Sequence, residues 1–372
     1  MWVLLLLHLL LSIESSVTAF TASNNPVLYD GRVPSFNESI MGGKDSLSEW
    51  LSSPERYADA LNMTVAQVSQ IKERHNGASQ RLHELLNDPS SNMTGRYKHT
   101  LLCQHRFEYG RHPFICRRCW SYLPVCICHH PLVVRNGKRR LPNLLGNNIQ
   151  LDVAVWTHHR EWGLSSNTGC IIPLMLENCY MLMKGLPEHD SQLEQYLLDD
   201  NCLVVALWPS SNDADPANAK IEATGTSMNP KVSFDEILEK FQNDRLNPQG
   251  NMMAPTKVVL LAVDGTWRNA RRMVAKLPPA VVRLDLSADI VQLSGSGGGS
   301  ILTPLRARDK NGSGRRSHGD DDDDRLVCTA QAIVGALATL GLPCDDVCDV
   351  LNITKIKVDL IRRYRGKVTL DD

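Results

Sequence analysis

Two stretches of this chain combine residue types and spacings that can do chemistry. The first is Cys116-Arg-Arg-Cys119, followed six residues later by Cys126-Ile-Cys128. Two close pairs of thiols on short loops can converge on one tetrahedral zinc. Four thiolates leave no open position for a substrate, so such a zinc would be structural. Trp120, Tyr122 and Pro124 lie between the pairs and could pack over the site. A pair of disulfides is the alternative, favoured if the protein is secreted. The odd total of eleven cysteines, the other seven scattered irregularly, argues against a disulfide framework. His129 and His130 follow at once and could replace one ligand, with Cys103 a more remote stand-in. Cys170, Cys179, Cys202, Cys344 and Cys348 read as packing residues on apolar faces.

The second stretch runs from Lys257 to Met273, KVVLLAVDGTWRNARRM. A β-branched apolar run ends abruptly at Asp264-Gly-Thr-Trp267. In α/β sheets ligands bind at the carboxyl ends of strands, where Asp264 would sit. Gly265 permits a tight turn and close ligand approach. Thr266 can cap a helix starting near Trp267, and the indole offers a flat face to a base or a sulfonium cation. Arg268, Arg271 and Arg272 share one side of that helix. A carboxylate, an aromatic and several guanidiniums around one turn suit a polyanion such as RNA. An ordinary helix cap with a packed tryptophan would look the same on turn chemistry alone.

The elements that must position these groups follow from periodicity. Short apolar runs predict strands at Leu151–Trp156, Cys202–Leu207, Lys257–Val263 and Val281–Leu286. Helices are expected at Ile171–Met183, Ser191–Leu198, Phe234–Phe241, Arg268–Leu277, Thr329–Leu340 and Cys344–Tyr364, the last broken near Asn352. Strands alternating with helices predict an α/β fold around a parallel sheet. Ahead of it, residues 46–95 read as a helical prelude. Ser53-Pro54-Glu55 caps a helix along which Leu61, Val65, Val68 and Ile71 recur, and a second helix follows from Ser79 to Leu86. The main domain then spans 96–372. His158, His159 and Arg160 follow a strand end and could face a substrate or lie in a surface loop. The basic run 135–140 could hold phosphates. So could Lys355–Lys367, although an amphipathic helix with its basic side outward explains that run equally well.

A length of 372 residues suggests about two domains, and 42% hydrophobic with 22% charged residues fits a globular chain. The net charge of −1 gives no global sign of a nucleic-acid partner, so any such sign must be local. Residues 1–19 look like a signal peptide. Trp2–Ile13 is apolar but shorter than the roughly 20 residues a membrane span needs, and Val17-Thr18-Ala19 suits cleavage. Phe20 directly after Ala19 resembles the two-part plastid presequences of algae with secondary plastids. Plastid import is therefore expected, with the secretory pathway or the cytoplasm as alternatives. No stable membrane association is expected of the mature form. Residues 20–45 read as a linker or transit-like segment. The insertion 294–324, with its glycine-serine run and five consecutive aspartates from Asp320 to Asp324, is expected to be disordered and solvated. Adjacent aspartates without spacers do not converge on a calcium ion.

Asp264-Gly-Thr-Trp267 resembles the signature of the DTW-domain family. Other pieces fall in that family's order: the cysteine motif 116–128, His158-His-Arg-Glu161 with Ser166-Asn-Thr-Gly169, Leu207-Trp-Pro-Ser210, Leu305-Arg306, and Cys328-Thr-Ala-Gln-Ala332. Together they cover about residues 110–365. Trp208, Cys328 and Gln331 stand where the family has phenylalanine, serine and an acid, and the insertion 294–324 is a further departure.

The resemblance implies a SPOUT-like knotted α/β fold with helices on both faces of the sheet. It implies transfer of the 3-amino-3-carboxypropyl group of S-adenosylmethionine to N3 of a uridine in tRNA, with methylthioadenosine leaving. Asp264 would accept the N3 proton or orient the base. Leu207, Pro209 and Trp267 would hold the apolar parts of the donor, Ser210, Thr266 and Thr329 its polar end, and Arg306 its carboxylate. His158, His159, Arg160, Arg268, Arg271 and Arg272 would meet RNA, and Cys116, Cys119, Cys126 and Cys128 would hold structural zinc. Methyl transfer from the same donor, action on ribosomal RNA, or an inactive zinc-stabilised RNA-binding module are the alternatives. Oligomeric state is left open.

Overall fold

A computed structural model describes residues 52–134, 137–142, 144, 149–209, 236, 256–279, 281–286 and 328–365. The signal-like and linker segments, Ser210, Arg306 and the insertion 294–324 lie outside the described residues, as does the expected helix Phe234–Phe241 apart from Glu236, which is helical.

The chain opens with three helices, α1 (Pro54–Ala60), α2 (Val65–Asn87) and α3 (Gly95–Tyr109). Ser53 caps α1 by accepting from the Arg56 N–H at 3.1 Å, as its sequence predicts. Two features depart from expectation. Thr64 and Gln67 form a capping box that starts a 23-residue α2, so the first expected helix is broken after Ala60 and its later part, Val65 to Ile71, runs on unbroken into the second. The chain is helical again from Gly95, so the helical segment continues to Tyr109. Tyr57, Ala58, Leu61 and Val68 pack with Phe114, Val125 and Tyr364, which seats this segment on the rest of the fold.

Beyond it come α4 (Pro131–Val134), β1 (Gln150–Thr157), α5 (Ile172–Met175), β2 (Cys179–Met183), α6 (Pro187–Leu198), β3 (Cys202–Pro209), β4 (Lys257–Asp264), α7 (Trp267–Val274), β5 (Val282–Leu286), α8 (Thr329–Thr339) and α9 (Cys344–Tyr364). The strands form one sheet in the order β2-β1-β4-β3-β5, and every pairing is parallel. This is the α/β class expected. Both faces are covered, which explains the unbroken apolar runs of β1 and β4. Alternate residues divide between the faces. Leu151, Val153 and Val155 of β1 meet α8 and α9, whereas Ala154 and Trp156 meet Leu193 of α6 and Met273 of α7. The connection 287–327 is outside the described residues, and with it the full chain path on which a knot depends.

One expected helix is wrong. Ile171–Met183 contains a single turn of helix, then a break, then β2. The turn ends at Met175, where Leu176 is already extended, and Asn178 then takes a left-handed conformation (φ 49°) that asparagine tolerates, just before β2. Short apolar runs do not separate strand from helix by period, and IIPLMLENCYMLM is two of them joined. The break expected at Asn352 does not occur, because Asn352 lies on the exposed side of a continuous α9. Cys344 and Cys348 are exposed on α9 rather than packed. Among the described residues no helix is long and apolar enough to cross a membrane.

Arg139, in the basic run expected to meet phosphates, is buried instead. Its guanidinium pairs with Asp346 at 3.1 Å and with Asp349, and donates to the Leu132 carbonyl at 3.2 Å. It ties the loop after α4 to the start of α9. Arg139→Met leaves these partly exposed carboxylates without their cation and should cost about 2–3 kcal/mol of unfolding free energy in a denaturant titration.

Candidate active site

The strand order places a crevice before any residue is considered. The chain leaves β1 toward β2 on one side, and leaves β4 toward β5 on the other. Between β1 and β4 the connections diverge, and ligands in open α/β sheets bind at such a point, outside the carboxyl ends of the strands. Thr157, at the end of β1, is in register with Asp264, at the end of β4.

Asp264 is buried. Its Oδ2 accepts from the Asn167 amide, and its Oδ1 accepts from the Thr329 hydroxyl at 2.8 Å. The Thr157 hydroxyl is a third partner. Burial pushes the carboxyl above the ordinary aspartate range, against the pull of the Asn167, Thr329 and Thr157 bonds and the nearby Lys357 charge. Three segments far apart in sequence therefore meet on one carboxylate: the loop after β1, the end of β4 and the start of α8. Gly169 is needed for the closeness of this packing. A Cβ there would lie 3.0 Å from Val155 Cγ1 and 3.3 Å from Asn167 Oδ1.

The start of α8 has its own device. Cys328 Sγ accepts from the Gln331 N–H at 3.4 Å, and the Gln331 side chain accepts from the Cys328 N–H at 3.2 Å. This reciprocal cap is what a serine with an acid three residues on would form, so both departures preserve it. Thr266 does not act as expected: it is the N-cap of α7 by position, but its side chain makes no capping bond. It is exposed, as are Arg268 and Arg272 on α7, with Arg271 half-buried. Leu207 is buried near the end of β3. Pro209 ends that strand and Trp267 opens α7.

The loop after β1 carries His158, His159 and Arg160. The His158 N–H donates to the Asp264 carbonyl at 2.8 Å, so this loop and the Asp-Gly-Thr-Trp turn share one edge of the crevice. Arg106 of α3 donates to the His159 carbonyl at 2.7 Å, and Arg111 donates to the Arg160 carbonyl. Burial and then neighbouring cations, Lys184 foremost, push His158 down to about 4. Burial and then His158 push His159 down to about 3. Lys184, just past β2, falls to about 8 through burial and Lys276. Both imidazoles are therefore neutral near pH 7 in a positive field, which suits a phosphate-bearing ligand.

The four cysteines converge as their spacing predicts. Their sulfurs lie within 4.8 Å of one another, with Cys116 to Cys128 and Cys119 to Cys126 each at 3.6 Å. The edge of a tetrahedron with zinc–sulfur bonds of about 2.3 Å is about 3.8 Å, so the donor set fits zinc in kind and in spacing. Neither His129 nor His130 joins the group. The Cys119 thiol is held well below its usual range, chiefly by its bond with the Cys116 sulfur.

Lys357 links this cluster to the crevice. It lies in the basic run read either as a phosphate contact or as the outward side of an amphipathic helix, yet it is fully buried. Its ammonium donates to the Cys119 carbonyl at 2.6 Å, to the Asn167 carbonyl at 2.6 Å and to Cys170 Sγ at 2.9 Å. Helical phase could have revealed it, since Ile353 and Ile361, four residues either side, are both buried. Lys355, Arg363 and Arg365 of the same run are exposed.

With this geometry in place, comparison with known families is specific: the model described as DTW domain matches residues 113–354. The chain belongs to the DTW-domain family. No curated protein and no solved structure matches it. The DTW match contains every motif that meets at Asp264 and the four-cysteine cluster, and it begins after α3. The family is one of tRNA-modifying aminocarboxypropyltransferases.

Lys357→Met removes the only cation bonded to both the Cys119 and Asn167 carbonyls among the described contacts. Leaving two buried acceptors without that donor should cost about 2–5 kcal/mol, measured by denaturant unfolding with zinc present.

Proposed function

We propose that this DTW protein transfers the 3-amino-3-carboxypropyl group of S-adenosylmethionine to N3 of a uridine in tRNA. The observation that carries the reading is the convergence of three DTW motifs on one buried carboxylate at the topological switch point. In the reaction an N–C bond forms at uridine N3 and the C–S bond to the transferred chain breaks. Methylthioadenosine leaves as a neutral thioether, and the N3 proton is released. A sulfonium is a good leaving group, so the protein's main task is to place N3 in line with the correct carbon.

In this reading Asp264 is a positioning residue more than a free base. Two of its bonds go to Asn167 and Thr329, and its environment is closed. The Thr329 hydroxyl spends its proton on Asp264, which leaves its oxygen to accept from the donor's ammonium. Leu207, Pro209 and Trp267 would flank the apolar parts of the donor, with Ser210, Thr266 and Arg306 toward its polar end. His158, His159, Arg160, Arg268, Arg271 and Arg272 would meet the RNA. Gln331 keeps its helix cap, so the departure there does not argue for an inactive protein.

Two measurements test this. Residues 52–372 with zinc, S-adenosylmethionine and unmodified tRNA should yield, by nucleoside mass spectrometry, a uridine heavier by one aminocarboxypropyl group, together with methylthioadenosine. A methylated base with S-adenosylhomocysteine would keep the donor and overturn the chemistry. Separately, Asp264→Asn sets amide against amide at Asn167 and should lose both transfer and about 1–3 kcal/mol of stability. Adding Asn167→Asp restores the pair in reverse. Stability and transfer should then recover together; stability without transfer would make Asp264 the proton acceptor instead.

A further inference from the structure

A second group of soft ligands lies outside the four-cysteine cluster, two of its three members outside the matched domain. His99 and Cys103 stand one turn apart on α3, before residue 113 where the family match begins. His159 comes from the loop after β1. His99 Nε2 lies 3.0 Å from His159 Nδ1, and Cys103 Sγ lies 3.8 and 3.9 Å from the two His99 nitrogens. All the ligand atoms fall within 4.8 Å of one another.

We propose that His99, Cys103 and His159 bind a zinc ion, a second site distinct from the four-cysteine cluster. Two imidazoles and a thiolate are ligands zinc prefers, and three protein ligands leave a fourth position for water or an exchangeable anion. In a tetrahedron with bonds of about 2.0 Å to nitrogen and 2.3 Å to sulfur, neighbouring ligand atoms sit about 3.3–3.5 Å apart. The observed separations bracket that range, so small side-chain rotations suffice. Binding replaces the thiol proton of Cys103 with the metal and releases that proton to solvent.

The surroundings are built around these three side chains. Gly185 (φ +92°) forms one wall, and a Cβ there would lie 2.3 Å from His99 Cε1 and 3.0 Å from Cys103 Sγ. The Lys184 carbonyl is 3.6 Å from the same sulfur. Arg106, three residues beyond Cys103, holds the His159 carbonyl and so orients that ring's loop. An ion here would join α3 to the loop whose His158 bonds the Asp264 carbonyl. It would fasten the helical segment to the rim of the crevice. The competing account is a plain His–His hydrogen bond over a buried thiol, which needs no ion.

The test is metal content of the full chain, loaded with zinc, passed over a weak chelating resin and measured by plasma mass spectrometry with sulfur as internal standard. His159→Asn, which keeps a polar side chain of similar reach, should hold one zinc per chain fewer than the unsubstituted protein. Because all four clustered cysteines remain, equal zinc content in the two proteins overturns the proposal. A second readout uses the unsubstituted fold as its own control. Cobalt(II) replacing zinc should show a thiolate charge-transfer band about one-fifth weaker in Cys103→Ser, which removes one of five ligating sulfurs. An unchanged band would equally overturn it.

Discussion

The rest of the structure depends on keeping one carboxylate buried at the end of its central strand. Taking an ionised carboxyl out of water costs several kcal/mol unless donors replace the lost hydration. Asp264 finds those donors in Asn167, Thr329 and Thr157. None is a sequence neighbour, so the acid is tolerated only when β1, its following loop, β4 and α8 have all assembled. The strand ends at the β1/β4 boundary, the candidate site, are thus tied to completion of the fold. The requirement also explains a glycine at 169, where a Cβ would press on Val155 and Asn167.

Lys357 extends the same logic to the cysteine cluster. A buried ammonium needs acceptors for all three protons, and here they are two carbonyls and a thiol. One carbonyl belongs to Cys119 and the other to Asn167, so the zinc-type knuckle and the loop that serves Asp264 share a cation from α9. Burial raises the Cys170 thiol to about 11, which makes it a neutral acceptor rather than a counter-ion. The Lys357 charge acts on both the Asp264 carboxyl and the Cys119 thiol and favours the anionic form of each. Arg139, paired with Asp346 and Asp349, fixes the opposite end of the same helix.

Much of this was legible from residue patterns, and the failures have physical causes. Four strands and the alternation that defines a parallel sheet follow from apolar runs bounded by breaks. The four-cysteine cluster follows from spacing, because short loops restrict where thiols can go. The fifth strand, β2, was hidden because its apolar run follows a helical turn after only three residues, Leu176, Glu177 and Asn178. Lys357 and Arg139 were misread because charge runs were weighed by composition. Helical phase puts Lys357 on the buried stripe, and acids one turn apart on α9 await Arg139. The closed state of Asp264 could not be read at all: its partners lie 97 and 65 residues away, and only the fold brings them near. His99 and Cys103 carry no motif, since i and i+4 on a helix is too common a spacing to signal a site.

The two departures at the start of α8 bear on how this crevice works. Where the family pattern has serine and an acid, this chain has Cys328 and Gln331, and the reciprocal cap survives. The geometry of Thr329 is therefore preserved, and with it the bond to Asp264. What changes is charge. A carboxylate at 331 would stand two residues from Thr329 in the same buried region, and like charges in low dielectric raise one another's pKa. An amide there removes that repulsion and leaves Asp264 as the acid of the cluster, facing Lys357 without a close competitor. Cap and charge are separable in this position, and this chain has kept the first while relinquishing the second. Asp264 is then easier to hold as an anion, which is the form that accepts from both Asn167 and Thr329 and keeps the three motifs together.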